Sequence, residues 1–67
     1  MIDVVVNGQQ RRIPSDASLA GLIADLALAG KKIAVERNGE IVPRSRHGET
    51  RLAPGDRLEI VVAVGGG

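Results

Sequence analysis

The sequence predicts a small α+β domain in which paired strands flank one helix, in the order ββαββ, with a further strand near the C-terminus. Two observations predict the strands: Asn-Gly occurs twice, and each pair lies between two short runs that read as extended chain. A third predicts the helix, because the stretch between the two hairpins has apolar residues at helical rather than alternating spacing.

The first hairpin is predicted at the N-terminus. The β-branched run from Ile2 to Val6 is followed by Asn7-Gly8 and by a second extended run from Gln9 to Ile13. Asn-Gly between two such runs is the strongest short-range signal for a two-residue β-turn. Pro14 then ends the second strand, because proline has no N–H to donate to a strand ladder.

The helix is predicted from Leu19 onward, with Ser18 as its N-terminal cap. Its apolar residues fall at i, i+3, i+4 and i+7, which places them on one face: Leu19, Leu22, Ile23 and Leu26. Gly30 is the expected stop, since glycine commonly follows the last helical turn.

The second hairpin repeats the pattern of the first. Strands are predicted from Ile33 to Arg37 and from Glu40 to Val42, on either side of Asn38-Gly39. The segment from Arg44 to Ala53 is polar, and we expect it to be irregular.

The last strand is predicted from Arg57 to Val64, after a turn at Pro54-Gly55-Asp56. Its residues alternate between a core face, with Leu58, Ile60, Val62 and Val64, and an outer face, with Arg57, Glu59, Val61 and Ala63. The outer face turns apolar at Val61 and Ala63, and Val5 is expected on the equivalent face of the first strand. We therefore predict a docking surface for a partner protein there.

The composition argues against binding to nucleic acid, to a membrane or to a metal. A chain of 67 residues forms one domain, and its net charge of +1 gives no strong attraction to nucleic acid or to an anionic membrane. Aromatic residues are absent, so no base-stacking platform is expected, and the absence of cysteine fits the reducing cytoplasm. His47 has no second histidine or cysteine near it, so we expect it to be solvated, with no metal bound.

The chain ends with Gly65, Gly66 and Gly67, directly after the last strand. We predict a domain over residues 1–64 and a flexible tail over residues 65–67, which is slim because glycine lacks a Cβ and which reaches about 10 Å when extended. A terminal carboxylate becomes reactive when ATP converts it to a mixed anhydride with AMP. The sequence contains no GxxxxGK phosphate loop, so we expect the chain to be a substrate and carrier, not an enzyme. A disordered tail without a role is the alternative interpretation.

Several motifs together resemble the ThiS family of sulfur carriers in bacterial thiamine biosynthesis, which have the β-grasp, ubiquitin-like fold. The resemblance covers nearly the whole chain: the early Asn-Gly hairpin, the helix opening at Ser18, VERNGEIVPR, PGDRLEIV and the VGGG ending. It implies that the first and last strands lie side by side and parallel at the centre of the sheet, with the helix across one face.

The resemblance also implies a chemistry. A ThiF-type adenylyltransferase would activate Gly67 with ATP, and sulfur derived from cysteine through a desulfurase would replace AMP to give a thiocarboxylate. Thiazole synthase, of the ThiG type, would accept that sulfur. Gly65 and Gly66 would thread the partner sites, and Arg44, within the family-like VPR, is a candidate partner contact. The chain itself would bind no cofactor, nucleic acid or membrane.

The sequence leaves three alternative functions open. A related carrier would have the same tail and another acceptor, as in the MoaD-like small subunit of molybdopterin synthase. A β-grasp interaction module without catalytic activity would use only the folded surface. A protein modifier would use the same activation to form isopeptide bonds.

Overall fold

The computed structural model describes residues 1–63, and within them the predicted elements are present. They are β1 (Ile2–Val6), β2 (Gln9–Ile13), α1 (Leu19–Asp25), β3 (Ile33–Arg37), β4 (Glu40–Ile41), a 3₁₀ helix (Arg44–Arg46) and β5 (Arg57–Val62). With β5 included, the full order is ββαβββ, so the label ββαββ omits one strand. The 3₁₀ helix lies in the segment that was expected to be irregular.

The five strands form one mixed sheet in the order β2-β1-β5-β3-β4. Strands β1 and β5 are parallel, with Val5 opposite Arg57 and Val6 opposite Leu58, and the other pairs are antiparallel. The first and last strands are therefore neighbours at the centre of the sheet, which confirms the arrangement that the resemblance implied.

Both Asn-Gly pairs form the predicted tight turns. Asn7 and Gly8 have φ angles of 50° and 82°, and Asn38 and Gly39 have angles of 51° and 87°. Positive φ at both central residues is the mark of the type I′ turn, whose twist matches that of the strands it joins. The two hairpins thus fold as local units with nearly the same backbone.

The helix begins as predicted. Ser18 is its N-cap, and its Oγ accepts a hydrogen bond of 3.1 Å from the Gly21 N–H. Leu19, Leu22 and Ile23 are buried against the sheet.

The helix ends earlier than predicted, at Asp25, and Gly30 is not its stop. Ala27 adopts a φ of 61°, and the Leu28 N–H donates to the Ile23 carbonyl at 3.0 Å. This is the backbone pattern of a Schellman cap, in which an alanine occupies the left-handed position that glycine usually takes. The prediction was wrong because it assigned that position to the nearest glycine.

The core lies between α1 and one face of the sheet, which we call the inner face. Its buried members are aliphatic: Val4, Val6, Ile13, Leu19, Leu22, Ile23, Val35, Leu52, Leu58 and Ile60. Val62 was predicted to share this core, but 37% of its surface is exposed. On β5 the buried cluster stops at Ile60, and Val62 lies beyond it. Val64, the other predicted core residue, lies outside the described residues.

Candidate functional site: the two ends of β5 and the outer face

The C-terminal end of β5 is the part of the described structure from which residues 64–67 continue. β3 pairs with it on one side, with Ala34 opposite Val61 and Ile33 opposite Val62. This pairing extends one residue further, because the Ala63 N–H donates to the Lys32 carbonyl at 2.9 Å. The central strand of the sheet therefore leads directly to the predicted tail.

On the opposite side, the same end of β5 is held by a side chain. The Asn7 Oδ1 accepts a hydrogen bond of 2.8 Å from the Ile60 N–H, and the Asn7 Nδ2 donates one of 3.1 Å to the Ile60 carbonyl. The two residues are 53 positions apart in the chain. No sequence pattern indicated this contact, because the Asn-Gly turn accounts for Asn7 on local grounds alone.

The N-terminal end of β5 is anchored by Asp56, which is buried. Its carboxylate accepts hydrogen bonds from Arg37 Nε at 2.9 Å, Asn38 Nδ2 at 3.0 Å and the Ala53 N–H at 2.8 Å. Burial alone would raise the pKa of Asp56, but the hydrogen bonds from Ala53, Asn38 and Arg37 outweigh it and hold this pKa below its usual value. Asp56 is therefore a buried ionised carboxylate with its oxygens satisfied.

Asn38 belongs to the same network. Its Oδ1 accepts from the Arg57 N–H at 2.9 Å, and its own N–H donates to the Arg57 carbonyl at 2.8 Å. One asparagine side chain thus connects the second Asn-Gly turn, the buried Asp56 and the first residue of β5.

The outer face is the face of the sheet opposite α1. It has apolar residues around the C-terminal end of β5. Val61 is 63% exposed and lies directly opposite the exposed Ala34, and Ala63 is also exposed. We call Ala34, Val61 and Ala63 the end patch. Two of its members, Val61 and Ala63, are residues that the sequence predicted for docking.

The other predicted docking residues lie elsewhere. Val5 is half-buried and lies opposite Arg57. Arg57 is four residues before Val61 on β5, which is about 13 Å at the usual rise per residue. Glu59 lies between them on the outer face, directly opposite Glu36. The structure therefore does not join Val5 to the end patch.

Arg44 is also separate from the end patch. It is exposed in the 3₁₀ helix that follows β4, and β3 lies between β4 and β5 in the sheet. A partner that contacts both Arg44 and the end patch would need to cover this whole edge of the sheet.

His47 is not solvated, so that expectation was wrong. Its residue surface is 8% exposed, and Nε2 lies 3.1 Å from the Val42 carbonyl oxygen, while its own carbonyl accepts from the Ala20 N–H at 3.0 Å. His47 therefore joins the segment after β4 to the start of α1. Its position in a polar stretch of sequence concealed this structural role.

Within residues 1–63 no group of three or more metal-ligating side chains comes together. A surface groove of about 590 Å³ runs beside β4, where Arg37, Ile41 and Arg46 contribute to its lining, away from the C-terminal end of β5. No helix in the described part of the chain is long and apolar enough to cross a membrane.

A comparison with known protein families finds a match to the ThiS family over residues 4–67, which is nearly the whole chain. The chain belongs to the ThiS family. The match extends through Gly67, so it includes the residues that follow the described structure. ThiS proteins are the sulfur carriers of thiamine biosynthesis, and this confirms the resemblance inferred from the sequence.

Individual ThiS proteins are similar to this chain in sequence and in structure. The chain is 38% identical over 63 residues to the sulfur carrier protein ThiS of Bacillus subtilis, covering 92% of this chain and 96% of that protein. The crystal structure of the thiamine biosynthesis protein (ThiS) from Geobacter metallireducens matches with a TM-score of 0.82 and 28% identity, covering 98% of this chain and 100% of the other. The β-grasp fold is thereby confirmed.

A thiazole synthase of Paramagnetospirillum magneticum is also similar, with 41% identity over 64 residues and 96% of this chain covered. The chain spans about a fifth of the length of this protein and of a second thiazole synthase that it matches. These proteins therefore contain a ThiS-like segment within a longer chain.

Membership of the ThiS family confirms the prediction that residues 4–67 are a sulfur carrier, a non-catalytic protein co-substrate. The predicted sites at Gly65, Gly66 and Gly67 lie outside the described residues.

Proposed function

We propose that this chain carries sulfur as a thiocarboxylate on Gly67 and delivers it for thiazole formation. The observation that carries the proposal is the path of β5. This strand lies at the centre of the sheet, is paired on the β3 side as far as Ala63, and leads into four residues that the ThiS family match includes. A strand paired at the centre of a sheet is a suitable base for a segment that must reach into another protein.

The loading reaction has two steps. The Gly67 carboxylate attacks the α-phosphorus of ATP, pyrophosphate leaves, and an acyl-adenylate forms. A sulfur nucleophile, hydrosulfide in the simplest case, then attacks the acyl carbon, the bond to the AMP oxygen breaks, and AMP leaves. The product is the thiocarboxylate, which needs no thiol in the carrier, consistent with a sequence that has no cysteine.

A ThiF-type adenylyltransferase is the proposed catalyst of both steps, with ATP bound by that enzyme. The sulfur would come from cysteine through a desulfurase, and a thiol would reduce the desulfurase persulfide to hydrosulfide and end as a disulfide. These requirements place the reaction in the cytoplasm, where ATP and reduced sulfur are available. Gly65 and Gly66 have no side chains, so they would pass through a narrow channel to the enzyme's active site.

Thiazole synthase is the proposed acceptor of the sulfur. Two thiazole synthases contain a segment similar to more than nine-tenths of this chain, which supports an association between the carrier and that enzyme. This similarity favours thiazole synthase over the acceptor of a MoaD-like carrier.

The end patch is the proposed anchor for these partners. Fixing three tail residues costs roughly 3 to 6 kcal/mol in backbone entropy, which docking must offset. Burial of a valine contributes about 1.5 to 3 kcal/mol, so Val61 with Ala34 and Ala63 offsets a substantial part. Arg44 and Val5 would contribute only to a partner that extends well beyond the end patch.

Mass spectrometry tests the proposal directly. The 67-residue chain, incubated with ATP, sulfide and a ThiF-type adenylyltransferase, should gain the mass difference of one oxygen replaced by one sulfur. A variant without Gly67 should stay unmodified without unfolding of the domain, which a Tm measurement on the same protein checks.

A matched control has one alanine added after Gly67, which preserves every glycine and moves the terminal carboxylate to the new residue. The proposal predicts that Gly67 is not converted in this variant. An unmodified natural chain, or a sulfur found anywhere other than on the Gly67 carboxyl group, would contradict the proposal.

A further inference from the structure

We propose that Asn7 is a positioning residue for the loading reaction. Its carboxamide holds the C-terminal end of β5 and thereby fixes the direction in which the chain enters residues 64–67. The inference rests on the proposed function, since it concerns how Gly67 reaches the activating enzyme.

The Asn7 side chain bonds to β5 at the point where β1 stops pairing with it. The register of β1 on β5 ends with Val6 opposite Leu58, and the chain then reverses at Asn7 and Gly8. Ile60 is the next residue of β5 whose backbone points toward β1, because the direction alternates along a strand. The Asn7 carboxamide supplies it with one acceptor at 2.8 Å and one donor at 3.1 Å, as a backbone peptide group would.

Beyond Ile60, the described part of β5 is held from one side. β3 pairs with Val61 and Val62, and Lys32 accepts from Ala63, whereas β1 contributes no further pairing within residues 1–63. Within residues 1–63, the Asn7 side chain is therefore the last support of β5 on the β1 side. Its removal should let the end of β5 pivot on the β3 edge.

The turn itself does not need this carboxamide. A type I′ turn requires positive φ at its two central positions, and glycine adopts positive φ at least as readily as asparagine. Asn7→Gly therefore preserves the turn and removes only the side chain that holds Ile60. The variant separates the positioning role from the role in folding.

The expected effect falls on KM. A β5 end that is free to pivot must be ordered each time the carrier docks, and ordering about one residue lowers apparent affinity on the order of tenfold. Once the carrier is docked, the Gly67 carboxyl group and ATP meet as in the natural chain. We therefore expect KM for the carrier to rise on the order of tenfold in adenylation, with kcat nearly unchanged.

Asn38→Gly is the matched control. It makes the same substitution at the same position of the other Asn-Gly turn, so the change in unfolded-chain entropy is equal. It removes hydrogen bonds from Asp56 and Arg57 at the N-terminal end of β5 and should lower Tm at least as much as Asn7→Gly does. Its KM should match that of the natural chain at temperatures where both are folded.

Asn7→Asp is the conservative variant. Aspartate tolerates positive φ and retains an oxygen acceptor for the Ile60 N–H but loses the donor to the Ile60 carbonyl. Its KM should also rise above that of the natural chain, because one carboxylate oxygen would face the Ile60 carbonyl oxygen with no proton between them.

The experiment measures pyrophosphate release at varied carrier concentration for the natural chain and the three variants, with a ThiF-type enzyme. Amide hydrogen exchange of the free chains provides a second readout. After correction for global stability, the Ile60 amide should exchange faster in Asn7→Gly than in Asn38→Gly. The proposal is supported if KM rises only in the Asn7 variants.

Two results overturn it, and they differ from failure of the proposed function. If Asn7→Gly has the natural KM, or if KM rises equally in Asn38→Gly, Asn7 has no positioning role although the carrier is loaded. If the natural chain releases no pyrophosphate at all, the proposed function fails and the role of Asn7 fails with it.

Discussion

Each end of β5 is held by the asparagine of an Asn-Gly turn, but the two asparagines lie in different surroundings. Asn38 at the N-terminal end joins a buried network with Asp56, and Asn7 at the C-terminal end bonds Ile60 beside an exposed edge. Both occupy the first central position of a type I′ turn, with φ of 51° and 50°. The same local feature therefore stabilises the fold at one end and, by our proposal, directs the tail at the other.

The largest effect on stability is expected at the N-terminal end, from Asp56→Ala. The substitution leaves three donors, on Arg37, Asn38 and Ala53, without their acceptor. We expect a loss of about 2 to 4 kcal/mol in the free energy of unfolding, measured by urea denaturation. Stability for a domain of this size totals roughly 3 to 10 kcal/mol, so the variant will be marginal.

Asp3→Ala is the control for this prediction. Asp3 pairs with Arg12 at 3.3 Å, but both side chains are well exposed, at 45% and 70%. An exposed pair of this kind contributes about 0 to 1 kcal/mol. Equal losses in the two variants would show that the Asp56 network does not anchor β5 as its geometry indicates.

The pH dependence of stability should show the same network. Because the pKa of Asp56 is lowered in the folded state, its contribution is fully present above the pKa of the unfolded chain, about 4. It declines as the pH falls through the lower folded pKa, where the folded carboxylate takes up a proton. The difference in unfolding free energy between the natural chain and Asp56→Ala should therefore shrink between pH 5 and the acid limit, at roughly pH 2.

The comparison is made by urea denaturation of both proteins across this range. A difference that stays constant down to the acid limit would mean that the carboxylate charge of Asp56 does not contribute. A difference that grows toward low pH would contradict the sign of the pKa shift.

The two ends also differ in how far the sequence predicts them. The hairpins were predictable because Asn7-Gly8 and Asn38-Gly39 fix their turns locally. The parallel contact of β1 with β5 came from the family resemblance, since no residue pattern specifies which strands of a sheet become neighbours. The end of α1 was mispredicted because Ala27 takes a conformation that favours glycine.

The side-chain contacts of both ends were not predictable for a related reason. Asn7 meets Ile60 at a separation of 53 positions, and Arg37 meets Asp56 at a separation of 19. Such contacts depend on tertiary packing, whereas periodicity and turn signals report only local structure. His47 shows the same limit, because a polar sequence context hid its burial.

The smallest of the expected effects comes from Val61→Ala, on the exposed face at the C-terminal end of β5. Val61 is 63% exposed, so its truncation should leave Tm nearly unchanged. If the end patch docks on the activating enzyme, the lost apolar contact is worth about 1 kcal/mol, which raises KM for the carrier by a factor of about 5. The measurement is pyrophosphate release at varied carrier concentration.

Ile41→Ala provides the matched control for the location of docking. Ile41 is 64% exposed and shares the outer face, but it lies on the edge strand β4, two strands from β5. A rise in KM for Val61→Ala alone would place docking at the end of β5. A rise for Ile41→Ala alone would move it to the β4 edge, beside Arg44, and the end patch would no longer be the anchor. Because both residues are aliphatic and equally exposed, any difference between them reflects where the partner sits, not how hydrophobic the side chain is.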